Sequence, residues 1–238
     1  MIASLPMYDR PATRGAHDRL WARIREALAD RGIEAPRTLT RDLPYHATWS
    51  HPELLLGQVC VRPWQAYFHR CLTPVGASDY GLEGCPPGYY RSVYVMRADD
   101  DRPVGPALRR AANSPDSHSG WVTLQALGPA AEPALFTGSH DASVAAVAEA
   151  RADLAAIDQQ TWWMQARDLP AVRGLRVVGY SRVAPGQTLA TARGRDPRPI
   201  RAAIADALAA LEATDRDCLG LRGLVSMPAS AYGLPQAA

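Results

Sequence analysis

Two short segments of this chain put hydroxyls and an imidazole where a helix is expected to begin. The first is Asn113-Ser114-Pro115-Asp116-Ser117-His118-Ser119-Gly120, which runs into a helical pattern from Trp121. Backbone N–H groups in the first turn of a helix have no intrahelical partner, and the helix dipole adds partial positive charge there, so such a segment suits an anion. Ser117 and Ser119 add hydroxyl donors. A plain N-cap serine in a solvated loop accounts for the same residues equally well. The second segment, Thr137-Gly138-Ser139-His140-Asp141, also precedes a helical pattern. His140 can donate to an oxyanion or respond to charge, although a lone loop histidine is more often incidental.

A third position is Asp158, the last residue of the apolar run that follows Asp153. A carboxylate ending a buried strand lies at the carboxyl edge, where open α/β sheets bind ligands, and it can accept from an amine or a protonated oxygen. Capping the next helix is the plainer role for it. Trp162 and Trp163 follow, and one of them suits a pocket wall. Weaker candidates sit at other strand ends: Tyr8 and Asp9, Gln58 to Cys60, and Tyr89 to Ser92. No P-loop, nucleophile elbow, zincin helix or dinucleotide-binding glycine pattern is present. Cys60, Cys71, Cys85 and Cys218 match no zinc or redox spacing, and the six histidines form no metal spacing. Buried free thiols are expected, with a Cys60–Cys85 or Cys71–Cys85 bridge conceivable only in an oxidising compartment. Cys60 is not expected to be a nucleophile, because no helix-terminal or cationic surrounding is legible near it. Neither a metal nor a cofactor is expected.

The elements that must carry these residues read as alternating strands and helices. Strands are expected over 2–5, 56–61, 72–75, 92–97, 154–158 and 175–180, and helices over 17–28, 121–127, 142–151 and 199–211. Leu20, Ile24, Ala27 and Leu28 share one helix face, as do Ile200, Ile204, Leu208 and Leu211, with Pro199 in a first turn. This alternation predicts an α/β protein with largely parallel sheets. The Pro/Gly-rich stretch 81–88 reads as a surface loop, and the stretch 228–238 lacks periodicity.

The 238 residues suffice for one or two compact lobes, and 47% hydrophobic with 21% charged residues leaves material for a core. The net charge of +2 comes from 26 basic and 24 acidic residues without a basic run, which argues against a nucleic-acid partner. No stretch approaches the ~20 apolar residues that span a bilayer, so no membrane insertion is expected. The first residues show neither a basic segment nor an apolar run of the secretory kind. As it stands the sequence predicts a cytoplasmic location, or a periplasmic one if a signal has been removed.

In order along the chain, these pieces resemble the phosphonate-type substrate-binding proteins of ABC importers. Four segments carry the resemblance: Leu5-Pro6-Met7-Tyr8-Asp9, Gly88-Tyr89-Tyr90-Arg91-Ser92-Val93, Ser117-His118-Ser119-Gly120-Trp121, and Gly138-Ser139-His140-Asp141 followed by the run that ends at Asp158. The third is similar to the Ser-Thr-Ser-Gly anion loop of that family, with His118 where Thr is usual. Gln58-Val59-Cys60 stands where many members have a small Gly/Pro-rich turn. The resemblance implies the two-lobed type II periplasmic binding protein fold with a ligand cleft between the lobes. One lobe would be residues 1–87 plus 182–238, and the other 88–181. It further implies a non-enzymatic solute-binding protein of an ABC-type uptake system, with a small anionic, phosphonate- or phosphate-like ligand and a transporter membrane component as partners. The ligand contacts it implies are Tyr8, Tyr90, Ser117, His118, Ser119, His140 and Asp158. A cytosolic metabolite sensor and an enzyme on the same fold are the alternatives.

Overall fold

The computed structural model describes residues 1–232. It divides into two compact units: Met1–Tyr89 together with the chain from Pro185 onward, and Tyr90–Ala184.

The first unit holds a five-stranded sheet in the order Ile2–Ser4, Leu54–Val59, Thr188–Ala192, Leu72–Asp79, Gly223–Val225. Ile2–Ser4 and Leu54–Val59 are parallel, whereas Thr188–Ala192 runs antiparallel to both its neighbours. The strand at 54–59 is buried at every position, as the unbroken apolar run Leu54-Leu55-Leu56 requires of a strand covered on both faces. Helices Arg14–Ala29 and Pro197–Ala209 pack together through Leu20, Ile24, Leu28, Ile200, Ile204 and Leu208, all in one core. Each set repeats at four-residue spacing, which is why one stripe of each helix is apolar. The second helix starts two residues earlier than the sequence suggests. Asp196 caps it by accepting from Arg198 N at 3.0 Å, and Pro197 occupies its first position.

The second unit has its own five-stranded sheet, ordered Leu135–Phe136, Arg110–Ala112, Leu154–Asp158, Ser92–Arg97, Leu175–Tyr180. The first three are mutually parallel; Ser92–Arg97 is antiparallel to both its neighbours. Period-two alternation sorts the side chains onto two faces. Val93, Val95, Ala155 and Ile157 pack with Val144 and Val147 of the helix His140–Ala148. Tyr94, Met96, Leu154 and Ala156 face the other way, against Leu124. Just ahead of the central strand, the buried Asp153 accepts from Arg109 N at 2.9 Å and pairs with Arg97, Arg102 and Arg109 at 3.2, 3.0 and 2.9 Å. Arg102 also pairs with Asp100 at 2.6 Å.

Several expectations need correction. The sheets are mixed, not largely parallel, because the strand Thr188–Ala192 returns from the second unit and slots between two strands of the first. The strand expected to run to residue 61 stops at Val59, since Cys60 caps the helix Val61–Ala66. Cys60 therefore does sit at a helix start, a surrounding that the sequence concealed. All four cysteines are free, but only Cys60 is buried and Cys71 is exposed. Of the tail, Ala229–Tyr232 forms a short 3₁₀ turn with Tyr232 buried, its carbonyl accepting from Gln65 Nε2. Residues 233–238 lie outside the described residues.

Candidate functional site

Three parallel strands of the second unit end at the same sheet edge, and each delivers a polar residue there. The chain leaving Arg110–Ala112 reaches the Ser117 turn, the chain leaving Leu135–Phe136 reaches His140, and the central strand ends in Asp158. Parallel strands must do this, because a crossover helix returns the chain to the opposite edge before each new strand starts.

The Ser117 turn is wider than an ordinary helix start. Residues His118–Val122 form a π-type turn that continues into Thr123–Gln125, with Trp121 N and Val122 N both donating to Ser117 O at 3.1 Å. Ser117 is the cap, its Oγ accepting from Gly120 N at 2.9 Å. The Ser119 carbonyl accepts from Thr123 Oγ1 at 2.6 Å and from Ser92 Oγ at 2.9 Å. The helix therefore opens at His118 rather than Trp121, and both serines are buried.

His140 is the first residue of its helix, which Ser139 caps by accepting from Ala142 N at 3.1 Å. Gly138, at φ +91, makes the turn into that cap in the left-handed region that other residues avoid. Two backbone bonds tie this loop to the first: Thr137 N to Ala112 O and Gly138 N to Asn113 O, both 2.9 Å. The result is direct contact between the two candidate segments. Ser119 Oγ lies 3.0 Å from His140 Nε2 and 3.3 Å from Ser117 Oγ. Burial pushes the His140 imidazole down to about 4, against the opposing pull of the Asp141 carboxylate. It is therefore neutral at pH 7, and the cluster is one of uncharged donors and acceptors. His140 Nδ1 is buried without a hydrogen-bond partner among the described residues.

The other candidates fall into place separately. Tyr90 is buried and meets the His118 ring edge-on, with centroids 6.2 Å apart. Asp158 is buried and caps the helix Gln159–Asp168, its Oδ1 accepting from Thr161 N at 2.9 Å. It pairs across the sheet with Ser92, whose hydroxyl reaches the Ser119 carbonyl. Ser92 thus links Asp158 to the turn, a role that no motif announces. Asp158 and His140 share the edge without a direct bond between them. Tyr8 belongs to the first unit, where its ring meets Tyr80 edge-on at 4.9 Å. Beside it is a cavity of about 30 Å³ lined also by His17, Gln58 and Ser78. That space suits a water or two and is too small for an organic ligand. Among the described residues no group of three His, Cys, Asp or Glu side chains is placed to hold a metal ion, and no helix is long and apolar enough to cross a membrane.

Residues 74–227, which include the Ser117 turn, His140 and Asp158, match the family described as ABC transporter, phosphonate, periplasmic substrate-binding protein. The chain belongs to this family. Its members are substrate-binding proteins of ABC transporters, and the type II periplasmic binding fold is theirs. Solved structures agree on the fold. XAC2383 from Xanthomonas citri, bound to ATP, is 15% identical with a TM-score of 0.69 over 91% of this chain and 90% of that one. PhnD1 from Prochlorococcus marinus, in complex with methylphosphonate, is 15% identical with a TM-score of 0.68 over 97% and 92%. A binding protein component of an ABC phosphonate transporter from Pseudomonas aeruginosa is 14% identical with a TM-score of 0.62 over 90% and 77%. No curated protein matches the chain in sequence. Within this family of phosphonate-type binding proteins, the mixed sheets and the serine turn of the present chain are the features that its sequence has to build.

Proposed function

We propose that this protein binds a small phosphonate- or phosphate-type anion and delivers it to the membrane component of an ABC transporter, in the periplasm where the family is described. The observation that carries the reading is the Ser119 hydroxyl held between Ser117 Oγ and a neutral His140 at the start of a helical turn. Hydroxyls, turn N–H groups and a helix start stabilise an anion by oriented dipoles without a formal counter-charge. Two structural neighbours carry ligands with phosphorus–oxygen anions, methylphosphonate in one and ATP in the other. We assign ligand contact to Ser117, His118, Ser119 and His140, with Tyr90 and Asp158 reading the rest of the molecule. Asp158, a carboxylate at the same edge, favours a ligand that also carries a donor hydrogen over a fully deprotonated oxyanion.

Thermal unfolding of the protein with methylphosphonate, inorganic phosphate, ATP and sulfate tests this. A ligand that binds only the native state raises the midpoint, and at least one of the phosphorus compounds is expected to do so while sulfate does not. Equal or absent shifts for all four defeat the reading. Calorimetry on His140→Ala and Asp158→Ala then follows the ligand that binds. Each variant is expected to weaken it by roughly tenfold, the scale of one hydrogen bond to a charged group, and the double mutant reports whether the two act jointly.

A further inference from the structure

We propose that Asn113, which the family resemblance does not include among the ligand contacts, is the positioning residue of the anion turn. Its side-chain amide lies over the Cα of Gly120 and fixes where the Ser117 and Ser119 hydroxyls stand relative to His140. The proposal rests on the reading of that turn as the ligand-recognition element.

The observation is steric. A Cβ at position 120 would stand 2.0 Å from Asn113 Oδ1, 3.2 Å from Asn113 Cγ and 3.2 Å from Ser117 Oγ. Gly120 is not among the glycines with positive φ, so its backbone conformation does not call for glycine. The requirement comes from the asparagine side chain pressed against it, and it is the same whichever amide atom faces the turn. An N-cap serine needs no such neighbour: Ser117 Oγ would accept from the residue-120 N–H whatever side chain that residue carried. The contact is therefore additional to helix capping.

Asn113 is also placed to act on both loops. Its own carbonyl accepts from Gly138 N at 2.9 Å, two residues before His140. Its amide meets Gly120, whose N–H is held by Ser117 Oγ at 2.9 Å. From Ser117 the chain of contacts passes to Ser119 Oγ and on to His140 Nε2. One residue thus sets the spacing between the hydroxyl loop and the imidazole loop from behind. Packed interiors yield little, so an added Cβ must displace the turn or the amide.

The test follows the His140 ring by ¹⁵N NMR through a pH titration of the full chain, with calorimetry using methylphosphonate as the probe. In the wild type the ring is expected to titrate at about 4. In Gly120→Ala the turn shifts, the Ser119 contact opens, and the titration is expected to rise towards the ordinary 6.5. Methylphosphonate affinity falls by roughly tenfold or more. Asn113→Ala, which removes the amide behind the turn and leaves Gly120 in place, is expected to act in the same direction: the His140 titration rises and methylphosphonate affinity falls. A Gly120→Ala protein whose His140 titrates as in the wild type overturns the proposal, and so does an Asn113→Ala protein that titrates and binds as the wild type does. If Gly120→Ala does not fold, Asn113→Ala decides by the same two readouts. If the wild type ignores methylphosphonate, the functional reading is at fault, while the titration still decides the role of Asn113.

Discussion

The central strand of the second unit, Leu154–Asp158, has a carboxylate at either end, and the two ends are built on opposite principles. Asp153, just ahead of the strand, meets three arginines, and Arg109 alone gives it a backbone and two side-chain hydrogen bonds. These hold its carboxyl well below the usual range. Asp158, at the other end, caps a helix and lies at the edge with two serines and a neutral imidazole. One end is charged and matched, so it fixes the strand. The other is uncharged around its hydroxyls, where Ser117, Ser119 and His140 meet one another. A charged cluster that is fully paired is a poor place for recognition, because every donor is already committed.

The largest effect that this contrast predicts is on folding. Asp153→Ala leaves Arg97, Arg102 and Arg109 without their shared partner and is expected to destabilise the protein by about 2–3 kcal/mol. That is less than a fully buried pair would cost, since Arg102 and Arg109 are half-exposed. Chemical denaturation measures it. A loss as small as that of an ordinary surface substitution would show that the cluster does not anchor the strand.

The next effect separates the ends by pH. Between 6.5 and about 4 the unfolded chain takes up a proton at His140 and the folded chain does not, so stability is complete above 6.5 and falls as the pH drops through that window. The change is at most about 3 kcal/mol, and His140→Gln is expected to remove this contribution. At the other end the Asp100 carboxyl is lowered to about 2 by its hydrogen bonds with Arg102. Its contribution is present above the unfolded value of 3.8 and is lost as the pH falls from there to about 2. Asp100→Asn is therefore expected to lower stability evenly above 3.8 and to flatten the acid limb between 3.8 and about 2. Burial also lowers the His17 imidazole from 6.5, so the bend is expected to shrink and not to vanish, and a His140→Gln profile that bends as deeply as the wild type would break the assignment.

Arg102→Gln should show the smallest change. This arginine is half-exposed and screened, and Arg97 and Arg109 remain on Asp153. A small fall in thermal midpoint is expected, no larger than that of Asp100→Asn, since the same Arg102–Asp100 hydrogen bonds are lost, with methylphosphonate binding unaltered. A large fall in affinity would mean that the two ends are coupled.

The residues alone were enough for the elements whose apolar pattern is strong and local, whereas each expected helix began two or three residues late, because the first turn is set by its cap and not by the apolar stripe. The strands at Ser92–Arg97, Leu154–Asp158 and Leu175–Tyr180 have the expected limits: an apolar run closes on a polar residue in the first two, and Val177 and Val178 mark the third. The family likeness was legible for a related reason, since it rests on short segments in fixed order. Tertiary structure alone decided the remainder. Thr188–Ala192 is buried throughout, yet its small Thr and Ala side chains give no apolar signal, and its place comes from pairing with strands more than a hundred residues away in the chain. Arg110–Ala112 is three residues long and gains its identity from two parallel partners. The contact of Ser119 with His140, the bridge through Ser92, and the need for glycine opposite Asn113 were equally hidden. Periodicity reports which way a side chain faces along its own element; which residue it then meets is set by strand pairing and loop closure across the chain, and no local pattern encodes those.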